Sequence, residues 1–252
     1  MSLWKKPVSI FMIFTILVFG SASTSLNVSA QSSGDPYHEK FEQLNDVATT
    51  TNEVTDPERI QSLKDMSSDA ISNNQLELNY LNADLDFDEA NILDISYNNE
   101  NFTSATFPIV GDDYSVISNL TLVFDSDNEV INYSETLITK SDINTFKVTT
   151  YFDGLLTQDE VTDIDYISNE ELQEELELIH SVQSDDIVQT QGITEIALCI
   201  STVALIDLTV ARLIAVSCIA SCPAVPPICA ACIGAVAVVG SANIGAIIAC
   251  FR

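Results

Sequence analysis

The chain has 252 residues, 46% of them hydrophobic, so it is long enough to bury a sizeable core in one or two domains. Its formal net charge of -28 is unevenly distributed, because residues 31–192 contain 35 acidic and 5 basic side chains, a net charge of -30. Binding to nucleic acid needs lysine and arginine to displace counterions from phosphate, so this composition excludes a DNA- or RNA-binding function for that region.

The first 30 residues have the pattern of a secretory signal peptide. A positive start at Lys5 and Lys6 precedes an apolar run over residues 8–19, and a small-residue cleavage pattern ends at Ala30. We therefore expect cleavage before Gln31 and a secreted, extracellular product. The alternative is an uncleaved membrane anchor, but that apolar run is short for a span that needs about 20 residues.

The helices of residues 31–180 are predicted from hydrophobic spacing and capping residues. Apolar residues recur at helical spacing over 36–49. Asp56 followed by Pro57 predicts the start of a second helix. Its inner face would hold Ile60, Leu63 and Met66. Ser168 and Glu171 form a capping box. The helix that follows it would have a narrow apolar stripe: Leu172, Leu176 and Ile179.

Between these helices, alternating apolar and polar residues predict an antiparallel β-meander. The alternation continues on both sides of the turn sequence at 125–128, which indicates a hairpin. Segments 76–85, 93–97 and 146–152 would extend it, with an apolar inner face and a polar, solvated outer face. We therefore assign residues 31–180 to an acidic α+β domain of helices and an antiparallel meander.

No pattern in the sequence indicates catalysis, a metal site or a cofactor, so we expect no enzymatic activity. The two histidines, His38 and His180, lie in predicted surface helices away from any nucleophile motif. Asp84, Asp86 and Asp88 match the first three ligand positions of a calcium loop, but its later glycine and glutamate positions hold other residues. We interpret these aspartates as the solvated face of a strand.

All six cysteines fall in the apolar segment 193–252, which follows a linker at 181–192. Disulfides persist mainly outside the cytosol, in agreement with export. Six cysteines allow fifteen pairings. Three nested pairs stand out, because their position numbers add up to nearly the same total: Cys199 with Cys250, Cys218 with Cys232, and Cys222 with Cys229. Directly opposite residues of an antiparallel hairpin have this property, so we predict these three bridges.

The nested bridges predict a small all-α helical hairpin. Its arms, 196–222 and 228–250, are each about as long as a bilayer core is thick, at about 1.5 Å per residue. Prolines between the arms would end the first helix. Asp207 falls opposite Asn243, and we expect the two to form a buried polar pair. The outermost bridge needs a frayed helix start, because its cysteine on the first arm lies off the face of the inner pairs.

Two functions fit this segment. In the first, a membrane hairpin anchors the acidic domain at the cell surface for binding or adhesion. Anchors seldom contain six cysteines, however, and Asp207 and Arg212 near the centre of the first arm would each cost about 2.5–3.5 kcal/mol on insertion. We favour the second, a disulfide-stapled peptide released near Gln191, Gly192 and Ile193 that acts on target-cell membranes. A secreted enzyme is a third reading, because a catalytic carboxylate pair would be invisible among so many acidic residues.

The spacing Cys218-x3-Cys222-x6-Cys229, with its surrounding Ala, Gly and Ile residues, resembles that of the cysteine-rich halocin-type bacteriocin precursors. The organisation of the whole chain is also similar. The resemblance implies an export signal, an acidic part that acts as immunity protein and a C-terminal toxin peptide. The implied partners are a signal peptidase, a processing protease, the target-cell membrane, and the acidic domain itself bound to the peptide.

Overall fold

The computed structural model describes residues 50–172, 197–201, 208–221, 228 and 232. Helix α1 spans Pro57–Ser72 and helix α2 spans Leu208–Ser221, while residues 169–172 and 197–201 are also helical. The strands are β1 (Thr51–Glu53), β2 (Asp84–Leu85), β3 (Asn91–Tyr97), β4 (Glu100–Val110), β5 (Asn119–Phe124), β6 (Val130–Lys140), β7 (Thr145–Phe152) and β8 (Leu155–Asp165).

Within the described residues the strands form one antiparallel sheet in the order β1-β3-β4-β5-β6-β7-β8, with β2 paired to β4. From β3 to β8, strands that follow each other in the chain are neighbours in the sheet, which confirms the predicted meander. The β5–β6 hairpin is also confirmed. In its turn, Asp125 Oδ1 accepts hydrogen bonds from the N–H groups of Asp127 (2.9 Å) and Glu129 (3.0 Å). Asn128 takes the left-handed conformation, which asparagine tolerates better than most residues.

The predicted helix starts are confirmed in detail. Asp56 Oδ1 accepts a hydrogen bond from Glu58 N–H at 3.0 Å and caps α1. At the second start, Glu171 Oε2 accepts from Ser168 N–H at 2.9 Å, and Ser168 Oγ accepts from Glu171 N–H at 3.2 Å, so the capping box is closed from both sides. Leu172 is fully buried behind it. Leu176 and Ile179 lie outside the described residues.

The expected strand over 76–85 is mostly wrong, because only Asp84–Leu85 pairs as a strand. The preceding residues are held by side chains of the sheet and its adjoining loop. Three backbone N–H groups donate to them: Glu77 to Tyr133 Oη, Asn79 to Glu135, and Leu81 to Tyr114 Oη. These contacts satisfy backbone donors that a neighbouring strand would otherwise satisfy.

The strand interpretation of the three aspartates is wrong in part, since Asp86 and Asp88 follow β2 rather than lie on it. Asp86 Oδ1 accepts hydrogen bonds from the N–H groups of Asp88 (2.9 Å) and Glu89 (3.2 Å) and closes a turn. In the described part of the chain, no cluster of three or more acidic, histidine or cysteine side chains is arranged to hold a metal ion.

The sheet is covered on both faces. On the α1 face, Phe107, Leu120 and Leu122 pack in one cluster with Leu63 of α1. On the α2 face, β6 and β7 residues pack in a second cluster with α2. The expectation of a solvated outer face is therefore wrong in the centre of the sheet, where all six residues of β5 are buried. In the centre of the sheet this outer face is mostly polar in composition, but it is not exposed.

Several predicted features lie outside the described residues. They are the signal peptide with the Ala30–Gln31 cleavage position, the helix over 36–49, the linker with Gln191, Gly192 and Ile193, and the Asp207–Asn243 pair. No helix in the ranges that the structure describes is both long enough and apolar enough to cross a membrane.

Candidate interface between the acidic domain and the cysteine-rich segment

Helix α2 brings the cysteine-rich segment against the acidic domain. Its sequence is apolar on nearly every side, and Arg212 is its one charged residue. A helix of this composition needs a core or a lipid environment on most of its surface. In this fold it packs against β7 and β8 of the sheet.

The contact is a continuous buried core, which we call the interface cluster. From the cysteine-rich segment it includes Ala197, Ile200, Val210, Ala211, Leu213, Ile214, Ala215 and Cys218. From the acidic domain it includes Ile117, Ile138, Phe146, Val148, Ile164 and Leu172. Every one of these residues is at most 4% exposed. Since full burial of one large aliphatic side chain contributes about 1.5–3 kcal/mol, the interface is part of the folded core of the chain.

An ion pair lies at the edge of the interface cluster. Arg212 Nη2 is 3.0 Å from Asp163 Oδ1 of β8, with the two side chains 34% and 87% exposed. Sequence reasoning treated Arg212 only as a cost for membrane insertion and missed this partner. The available signal was the charge distribution, because the single charge of α2 is opposite in sign to the acidic domain. An exposed pair of this kind contributes about 0–1 kcal/mol, so it orients the helix more than it holds it.

The loop between β8 and the capped helix closes one side of the interface. The ring of Tyr166 lies 5.0 Å from that of Phe146, and Lys140 Nζ lies 4.9 Å from the centre of the Tyr166 ring. Asn169 accepts a hydrogen bond from Val116 N–H at 3.0 Å and donates one to the backbone oxygen of Tyr114 at 2.7 Å. These contacts fix the start of the capped helix beside the sheet.

A disulfide lies within this interface. Cys218 and Cys232 are bonded with a Cα–Cα distance of 5.4 Å, which is the middle pair of the nested pattern. Cys218 is buried in the interface cluster, and Cys199 and Cys232 pack against it partly buried. Cys199 is also disulfide-bonded. The remaining cysteines, Cys222, Cys229 and Cys250, lie outside the described residues, so the outer and inner pairs stay predictions.

The neighbouring surface of β7 and β8 is strongly charged. A hydrogen bond from Lys147, with a second from Thr149, lowers the pKa of Asp159 below its usual range. The Lys147 Nζ to Asp159 Oδ1 distance is 2.7 Å.

Two tyrosines on the opposite, α1 face of the sheet also have shifted pKa values. Burial raises the pKa of Tyr80 and of Tyr133. Each of these shifts has a structural cause.

No family model, curated protein or solved structure matches this chain. Its function therefore has to be inferred from the interface itself. What this arrangement can do chemically is bury most of an apolar, disulfide-bonded helix against a sheet whose own region of the chain carries a large net negative charge.

Proposed function

We propose that this chain is a secreted precursor of a bacteriocin-like antimicrobial peptide. The acidic domain masks the C-terminal peptide, proteolysis near Gln191–Ile193 releases it, and the free peptide acts on target-cell membranes. The acidic domain then serves as immunity partner for the producing cell. The observation that carries the proposal is the burial of the apolar side chains of α2 in the interface cluster.

Masking has a physical motive. An apolar peptide exported alone would aggregate or insert into the membrane of its own cell. A binding partner on the same chain acts at high effective concentration, so even a modest interface keeps the peptide covered until the linker is cut. The net charge of -30 over residues 31–192 keeps the masked form soluble.

The alternative is a surface protein anchored by a C-terminal transmembrane hairpin, with a binding or adhesion role. An anchor has to present its apolar side chains to lipid. The side chains of Leu213 and Ile214 are instead 0% and 4% exposed in a cluster shared with the sheet. This burial favours masking over anchoring.

Release is tested by mass spectrometry of culture supernatant. We expect a peptide of about 60 residues, starting near Ile193 and lighter by two hydrogen atoms for each disulfide. A product that remains entirely as residues 31–252, or that stays with producer membranes after an alkaline wash, argues for the anchored alternative.

Activity is tested by spotting three oxidised samples on a panel of related strains: residues 193–252 alone, the intact chain, and the peptide mixed with residues 31–180. We expect a zone of inhibition from the peptide alone. Equal inhibition by all three samples would contradict masking, and no inhibition by any of them would contradict an antimicrobial role.

A further inference from the structure

Beyond the contact with α2, the α2 face of the sheet carries a second buried surface. It is a strip of small, mostly polar side chains on β4, β5 and β6: Ser104, Thr106, Thr121, Val123, Ser134 and Thr136. The strip contains no charged residue. All of its members are at most 6% exposed. The pairing register places Thr106, Thr121, Ser134 and Phe152 in one row across four strands.

The strip connects two apolar regions on the same face. At one side lies the interface cluster with Ile138 and Val148. At the other side, Leu93 and Ile95 of β3 are 0% and 1% exposed and form a small cluster of their own. Val123, which is fully buried, belongs to none of the three hydrophobic clusters made by the described residues. The strip is therefore buried by a cover that the described clusters do not supply.

Two buried oxygens on this face also lack partners among the described residues, namely Ser104 Oγ and Asn91 Oδ1. A buried polar group without a hydrogen bond costs about 1–3 kcal/mol. Because the strip is uncharged, has small side chains and lies between two apolar regions, its cover should be mainly apolar, uncharged and slim. The two unpartnered oxygens favour a cover that also has a few polar side chains.

We infer that residues 233–250, the second arm of the cysteine-rich segment, lie across this strip. The preceding residue Cys232 packs against the interface cluster, so the arm starts beside the strip. The 18 residues are uncharged and rich in Ala and Gly, with Ser241 and Asn243 as their polar members. Small side chains on both surfaces allow close approach.

The length of the arm fits the strip. Crossing from β7 to β3 takes four inter-strand steps, about 19 Å at about 4.8 Å each. Even in a compact helix, 18 residues reach about 27 Å. Two competing segments are charged, since residues 31–49 contain four carboxylates and residues 173–192 contain five, and burying these groups across an uncharged surface would be costly. The inference deepens the proposed masking and rests on it, because it names the surface that holds the second half of the peptide.

The test is site-specific photo-cross-linking in the full oxidised chain. Phe152→p-benzoylphenylalanine places an aromatic probe at the end of the row, on the α2 face. Tyr151→p-benzoylphenylalanine is the matched control, since Tyr151 is the neighbouring aromatic residue and packs on the α1 face. We expect the Phe152 probe to cross-link into residues 233–250 and the Tyr151 probe not to do so. Cross-links from Phe152 only to residues 173–192, to the region before residue 50, or to a second copy would overturn the inference.

If the bulky probe prevents folding, photo-leucine in place of leucine gives a nearly isosteric second measurement. Leu93 on the α2 face should then cross-link to residues 233–250, and Leu122 on the α1 face should not. Absence of the Leu93 product while Leu122 reacts with its own cluster would overturn the inference. Growth inhibition without the predicted cross-link would leave the proposed function standing. The cross-link without growth inhibition would leave the docking surface standing and contradict the antimicrobial role.

Discussion

Glu135 determines the path of a whole chain segment. It is 0% exposed. Its carboxylate accepts hydrogen bonds from Asn79 N–H (2.8 and 3.0 Å to its two oxygens), from Asn79 Nδ2 at 2.8 Å and from Tyr80 N–H at 3.0 Å. A buried carboxylate needs such donors, because without them the free-energy cost of removing its charge from water would be too large for the fold. The residue therefore ties the extended segment 76–83 to β6.

Replacing Glu135 by Gln should lower the free energy of unfolding by about 2–3 kcal/mol. The new NH2 group faces N–H donors, and at least one part-buried donor loses its acceptor, at a cost of about 1–3 kcal/mol. Urea unfolding followed by circular dichroism measures the loss. Glu129→Gln is the control, because it makes the same change in charge at an exposed turn position. Equal stability of the two variants would show that the carboxylate of Glu135 does not hold the segment.

Asp159 should titrate below its ordinary pKa of 3.8, because Lys147 and then Thr149 donate hydrogen bonds to its ionised form. A depressed pKa in the folded state adds stability that is present above pH 3.8 and is lost as pH falls through the folded value. Lys147→Met should therefore raise the pKa of Asp159 in a carbon-detected NMR titration, and the difference in stability from wild type should disappear in acid. An unchanged Asp159 pKa in Lys147→Met would contradict the assignment.

At the scale of elements, short sequence motifs predicted where helices start and where the chain turns, but they did not predict which segments pair as strands. Two helix starts and one turn are determined by a few adjacent residues, because side chains within each motif accept hydrogen bonds from nearby backbone N–H groups. They are the Asp56-Pro57 start, the Ser168–Glu171 box and the Asp125–Asn128 turn. Segment 76–85 has the same alternation as the true strands. Its hydrogen-bond partners are side chains about 33 to 56 positions away, which no local pattern can indicate. Composition alone likewise could not show that the polar face of β5 is buried.

Helix α2 should be held to the acidic domain mainly by apolar contacts. Leu213→Ala should cost about 2–5 kcal/mol, because Leu213 is 0% exposed in the interface cluster and its truncation leaves a cavity. Leu208→Ala makes the same truncation in the same helix at a position that is 41% exposed, and should cost about 0.5 kcal/mol. Urea unfolding of the oxidised chain measures both. Similar small losses would mean that α2 is not part of the core.

For the whole molecule, the contrast in charge between residues 31–192 and the apolar cysteine-rich segment could be seen from the sequence. The interface between them could not. Ile138, Phe146 and Val148 read as ordinary strand residues, and their contact with α2 joins positions more than 60 residues apart. The ion pair between Arg212 and Asp163 also depends on this long-range packing. Sequence patterns indicate the composition of the acidic region and of the cysteine-rich segment. Whether their surfaces pack together depends on the three-dimensional shape of both.

The central claim is that the acidic domain covers a membrane-active peptide. It is tested most directly by dye release from phosphatidylglycerol-phosphatidylethanolamine vesicles treated with oxidised residues 193–252 while residues 31–180 are titrated in. We predict strong leakage from the peptide alone, suppression at about one equivalent of the acidic domain, and no leakage from the intact chain. Leakage that is insensitive to the acidic domain, or equally strong with the intact chain, would contradict the claim.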